Sequence, residues 1–144
     1  MRAVVDTDVV AYYLLGTEPF ADEARGFWAA VTEPVAPAIW EAELANVVWM
    51  AIRKHVLPAD EGPRRLDLAA GLGVQSIPNR ALWQGALTRS VMSGIAVYDT
   101  LFIELASRER VPLATFDSRL LTSFRGIAKR PGDILLDPGT TDLP

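Results

Sequence analysis

The chain has 144 residues, half of them hydrophobic, and its 14 basic and 18 acidic side chains give a formal charge of −4. That length closes one hydrophobic core without staples, and the mix of apolar and scattered charged residues suits a folded soluble domain rather than a disordered or membrane chain. No apolar run approaches the roughly 20 residues that span a bilayer, Asp6 interrupts any secretory leader, and the lack of cysteine excludes disulfides and thiolate metal sites. The expected location is the cytoplasm, and any metal must be held by oxygen or by the lone His55.

Short apolar runs alternate with helical segments, which predicts an α/β fold with a parallel sheet covered by helices. Ala3-Val4-Val5 reads as a buried strand ending at Asp6. The apolar residues over 8–15 continue as a turn or two of helix, stopped by Gly16. Over 19–31, Phe20, Ala24, Phe27 and Trp28 recur at helical spacing. Val35-Ala36 is a second strand, pinched between Pro34 and Pro37. The strongest helix covers 38–56, with Ile39, Ala42, Val47, Met50 and Ala51 apolar and Arg53-Lys54 near its C-terminus.

A helix over 58–72 follows, delayed or kinked by Gly62-Pro63. A strand over 74–77 leads to a helix over 79–92 capped by Asn79 and broken at Gly94. Residues 98–110 form another helix, 112–116 a strand ending at Asp117, and a short helix runs to Phe124. Ile134-Leu135-Leu136 reads as the last strand. Residues 1–137 then make one domain, and 138–144, with two prolines and a glycine, a frayed tail.

Asp6 and Asp117 each follow an apolar strand directly, and the carboxyl ends of the strands in an open parallel sheet form its ligand-binding edge. Asp99 opens a helix, where the dipole favours a carboxylate and the N-terminus faces the same rim. Glu43 lies inside the long apolar helix, four residues before Val47, on a face expected to be buried. A buried carboxylate is costly unless paired or metal-bound. Hard oxygen ligands suit Mg²⁺ or Mn²⁺, which activate water and stabilise charge on a phosphoryl oxygen. Phosphodiester hydrolysis is the chemistry this set points to. The acidic net charge runs against a phosphate-binding role. Its distribution softens the objection, since residues 1–50 carry −6 and residues 51–144 carry +2.

The pattern resembles the PIN-domain ribonucleases, and within them the VapC-type toxins of bacterial toxin–antitoxin pairs. The matching pieces are Val4-Val5-Asp6-Thr7, Glu43-Leu44-Ala45-Asn46-Val47, the stretch from Tyr98-Asp99-Thr100 to Ala106, and Leu113-Ala114-Thr115-Phe116-Asp117-Ser118-Arg119-Leu120. Each piece is weak alone; four in order, across nearly the whole chain, are strong. The resemblance implies a PIN-like three-layer fold, a sheet of order 3-2-1-4-5, and Mg²⁺- or Mn²⁺-dependent cleavage of single-stranded or looped RNA, often transfer or ribosomal RNA. It implies Asp6, Glu43 and Asp99 as metal ligands, Asp117 as a fourth acid acting directly or through water, and Thr115 in support by hydrogen bonding. It also implies a homodimer and a small antitoxin whose tail enters the acidic groove. Asp8 departs from the pattern, standing where Ser or Asn is usual; it either adds charge to the site or caps the first helix.

Taken singly, Asp6 and Asp117 are ordinary strand-end or capping residues, and Asp99 an ordinary first-turn acid. The joint pattern carries the reading. His55 reads as a surface residue at a helix end, and Trp28, Trp40, Trp49 and Trp83 as core or dimer interface. Arg64-Arg65 and residues 125–130 suit either phosphate contacts or a solvated charged face. The rival enzyme is a haloacid-dehalogenase-like phosphatase, because Asp6-Thr7-Asp8 after a strand and Gly132-Asp133 through Asp137 resemble its motifs. That rival leaves Glu43 and Asp99 unexplained, and Lys129 stands too close to Asp133 for a separate motif. A catalytically inactive PIN scaffold that binds RNA or a partner is the reading from a non-enzyme class.

Overall fold

The computed structural model describes residues 1–136. Ala3, Val4 and Val5 are buried on both faces of strand β1 (Arg2–Val5), as a strand in the middle of a covered parallel sheet must be. β1 pairs in parallel with β2 (Glu33–Pro37), Val4 opposite Val35, and with β4 (Leu113–Ala114), Val5 opposite Ala114. β3 (Gln75–Ile77) extends the sheet beyond β2, and β5 (Ala128–Lys129) extends it beyond β4, both in parallel. The five strands therefore stand in the expected order, β3-β2-β1-β4-β5.

Helices flank this sheet. Helix α1 (Thr7–Leu15) packs on α2 (Ala21–Ala30), α3 (Ile39–Arg53) and α4 (Gly62–Ala70), while α5 (Trp83–Ser93) packs on α6 (Val97–Glu109), which lies over β1 and β2. Phe27, Phe102, Ile103, Leu113 and Leu120 are fully buried in one continuous core. Each such side chain stabilises the fold by about 1.5–3 kcal/mol relative to exposure. Two acids start helices at the carboxyl edge. Asp6 caps α1 by accepting the Thr7 N–H, and Asp117 caps α7 (Ser118–Ser123) by accepting the N–H groups of Arg119 and Leu120.

Two expectations fail in the local structure. Ile134-Leu135-Leu136 is not a strand but the end of helix α8 (Pro131–Leu136), and the fifth strand is Ala128–Lys129. Pro131 opens α8 at the position where proline's fixed φ and missing N–H cost nothing. Of the apolar triplet only Ile134 is buried, with α8 packed on α2. Asn79 does not cap its own helix: residues Asn79–Ala81 form a 3₁₀ turn, and the Asn79 side-chain Oδ1 accepts the Ile39 N–H at the start of α3, 3.2 Å away. The expected tail, 138–144, lies outside the described residues.

Candidate active site at the carboxyl edge of the sheet

β1 ends by handing Asp6 to the edge between β2 and β4. One carboxylate oxygen accepts the Thr7 N–H at 2.8 Å, and the other accepts the Thr115 hydroxyl at 2.7 Å. Thr115, fully buried just past β4, accepts the Asp117 N–H at 3.0 Å, so one hydroxyl aligns two of the acids. From α3, Glu43 reaches the same edge, where its Oε1 accepts the Thr7 hydroxyl at 2.8 Å. Asp99, in the first turn of α6, is tied to Asp117 through Arg119, whose Nη2 lies 3.2 Å from Asp99 Oδ2 and 3.1 Å from Asp117 Oδ2. Thr100 anchors α6 next door: buried, it donates to the Ala86 carbonyl at 2.9 Å and lies 2.7 Å from the Ser90 hydroxyl of α5.

Asp6, Glu43, Asp99 and Asp117 are thus brought to one edge, and Asp8 joins them. Asp8 is not the cap of α1, which Asp6 supplies. Its Oδ2 crosses to the Phe116 N–H at 3.1 Å, while its buried Oδ1 finds no well-aligned hydrogen-bond partner among the described residues. The five carboxylates repel one another around a closed ring. Burial first, then Asp8 and Glu43, push Asp6 well above the ordinary carboxylate range. Burial and Asp99 raise Glu43; burial and Asp117 raise Asp99 against the pull of Arg119. Asp8 is pushed up to about 7, by burial first and then by Asp117. Asp117 alone in the ring is lowered, because its hydrogen bonds from Arg119 and from the α7 amides outweigh burial.

Such a ring suits a hard cation. Its donors are all carboxylate oxygens, one of them buried without a well-aligned partner among the described residues, and a guanidinium already bridges two of the acids. As the side chains stand, no three acids among the described residues are grouped closely enough to hold one ion directly. An aromatic flank adjoins the acids. Tyr12 stacks on Phe20 with centroids 4.7 Å apart, Phe116 tilts against both, and the Arg130 guanidinium lies 4.9 Å from the Phe116 centroid. Glu23 holds Arg130 by two hydrogen bonds, of 3.1 and 2.7 Å. The Tyr12 hydroxyl is raised by burial and then by Asp8, Asp6 and Asp117.

Sequence reasoning assigned no role to Thr7, Arg119 or Tyr12. Thr7 follows the strand-end acid directly and Arg119 stands two residues after the other, which is the signal that was present. Tyr12 had none, since it sits at an ordinary apolar helix position. His55 is exposed at the end of α3, with φ 58. Trp40 is buried, whereas Trp49 and Trp83 are half exposed.

A parallel α/β sheet with a ring of acids at its carboxyl edge is the class that fold and site define. Residues 3–127 match the PIN domain family, and the chain belongs to it. It is similar to a chain of a toxin–antitoxin complex from Klebsiella pneumoniae, with a TM-score of 0.64 and 17% identity over 90% of this chain and 97% of the other. It is also similar to a chain of VapBC2 from Rickettsia felis bound to a DNA fragment from its promoter, with a TM-score of 0.63 and 15% identity over 90% and 98% of the two chains. At such identities the likeness is one of fold. Among curated proteins none matches the sequence significantly.

Proposed function

We propose that the protein is a metal-dependent endoribonuclease, the toxin of a bacterial toxin–antitoxin pair, acting on RNA in the cytoplasm. The observation that carries the reading is the closed ring of Asp6, Glu43, Asp99, Asp117 and Asp8 in a chain of the PIN domain family. Its structural neighbours come from toxin–antitoxin complexes, which supports a small antitoxin as partner. No helix among the described residues is long and apolar enough to cross a membrane.

Asp6, Glu43 and Asp99 would hold Mg²⁺ or Mn²⁺, with Asp117 beside them. The ion, when bound, supplies Lewis-acid polarisation of a phosphoryl oxygen and lowers the pKa of water. The chain's own part is orientation. Thr115 and the Thr7 N–H fix the two oxygens of Asp6, and the Thr7 hydroxyl fixes Glu43. Burial and mutual repulsion raise Asp6, Glu43 and Asp99 above the ordinary carboxylate range, so these acids would give up protons to hold a cation, and metal affinity would rise with pH. The phosphatase alternative loses its second motif, because Gly132 and Asp133 lie in the first turn of α8 rather than at a strand end. A PIN scaffold without activity has no use for a ring of mutually repelling acids.

The test is incubation of the purified protein with single-stranded RNA in Mn²⁺, Mg²⁺ or EDTA, beside a chromogenic phosphomonoester. Wild type cuts RNA only with a divalent ion and leaves the phosphomonoester alone. Asp6→Asn loses more than the about 10–100-fold that follows loss of an outer-shell partner, with soluble yield unchanged. RNA left intact by the metal-loaded wild type overturns the reading.

A further inference from the structure

Asp99 and Asp117 come from α6 and α7, yet a single atom, Arg119 Nη2, is within hydrogen-bond reach of both, at 3.2 and 3.1 Å. That is the place a cation would take between two carboxylates. The Arg119 side chain is 62% exposed, so leaving the acids strips it of little packing. Its backbone N–H donates to Asp117 Oδ1 at 2.8 Å as part of the α7 cap, which keeps the residue at the edge wherever the side chain goes. The other guanidinium near the ring, Arg130, is committed to Glu23 by two hydrogen bonds and to the faces of Phe20 and Phe116.

We propose that Arg119 is a positioning residue with two stations: in the metal-free protein its guanidinium bridges Asp99 and Asp117, and when a divalent ion held with Asp6 and Glu43 takes the Asp99 carboxylate it swings out to hold a phosphate of the RNA strand. The inference rests on the metal-dependent ribonuclease reading. A divalent ion draws on the same oxygen lone pairs as Nη2 and repels a guanidinium beside it, so the two cannot share the place. Once displaced, the guanidinium remains anchored at the acidic edge, with a planar fork of donors that matches phosphate geometry. It then supplies positive charge beside a site whose own side chains are acidic, which is what a polyanionic substrate needs in order to approach.

The rival is an ordinary ion pair that only steadies α6 against α7, and the two differ in sign. Full-length wild type, Arg119→Gln and Arg119→Lys are stripped with EDTA and melted with and without Mn²⁺. Mn²⁺ affinity is measured by calorimetry, and KM and kcat are measured on a single-stranded RNA. The exchange expects Arg119→Gln to melt lower in EDTA, to bind Mn²⁺ about three- to tenfold more tightly, and to gain more melting temperature from it. It expects KM for RNA to rise several-fold with kcat changed less. Arg119→Lys, which keeps the charge without the fork, falls between in both. Mn²⁺ affinity that is unchanged or weaker in Arg119→Gln, or an unchanged KM, overturns the exchange while wild-type activity leaves the ribonuclease reading intact. A wild type that neither binds Mn²⁺ nor cuts RNA overturns both.

Discussion

Asp6, the cap of α1, and Asp8, in its first turn, are two residues apart, and folding treats them differently. Both oxygens of Asp6 accept hydrogen bonds, whereas Asp8 satisfies one oxygen and buries the other without a well-aligned partner among the described residues. Burial lifts the Asp8 carboxyl to about 7, so between the unfolded value of about 3.9 and about 7 the folded chain keeps a proton that the unfolded chain has released. The stability from Asp8 is full below about pH 4 and is lost as pH rises through 7, and Asp6 acts in the same direction. In EDTA, denaturant unfolding should show wild type less stable at pH 8 than at pH 5 by on the order of a few kcal/mol. Asp8→Asn keeps an oxygen for the Phe116 N–H and cannot ionise, so its decline should be clearly shallower. Equal slopes in the two proteins would show that Asp8 ionises in the fold without cost.

Between elements, α6, which carries Asp99 in its first turn, packs on α5. Gly85 of α5 faces the Glu104 carboxyl group so closely that a Cβ there would run into it, and that carboxyl is held at 2.8 Å by both Arg89 and Arg108. Alanine is a better helix former than glycine by about 1 kcal/mol, yet at this place it must push Glu104 off its two arginines. Gly85→Ala should therefore destabilise the wild type. In a Glu104→Ala background the same change should stabilise by about 1 kcal/mol, and melting curves of the four proteins would read both signs. Elements such as β1 and the strand before Asp117 were legible in the sequence because each is an apolar run ending in an acid. The meeting of Asp6 with Asp117 at one edge followed from strand-end placement in a parallel sheet. β5 was not legible, since two residues carry no periodicity, and the Ile134 triplet imitates a strand although only one of its side chains is buried. The bridge of Arg119 and the reach of Asn79 to Ile39 were invisible because both depend on tertiary neighbours.

Across the whole molecule the apolar surface is uneven. Trp83, Leu87 and Val91, one turn apart on α5, are 50%, 56% and 78% exposed, and Met92 beside them is 84% exposed. This stripe marks an interaction face, being contiguous, apolar and exposed, and we assign it to the homodimer that the family resemblance implies. Leu87→Glu should shift sedimentation velocity from dimer to monomer while leaving the melting temperature of a dilute sample nearly unchanged; a dimer that persists would place the contact elsewhere. The long-range joining of the site has a further result, one for synthesis. Asp6 and Thr115 share a hydrogen bond across 109 positions of sequence, and β1, made first, lies between β2 and the late strand β4. A ribosome adds about 5–20 residues per second from the N-terminus, so the emerging chain carries Asp6 and Glu43 for seconds before Asp99, Thr115 and Asp117 exist to join them. On the proposed ribonuclease reading, the acids of the site cannot come together until nearly the whole chain has been translated, so cutting would begin only as each molecule is finished.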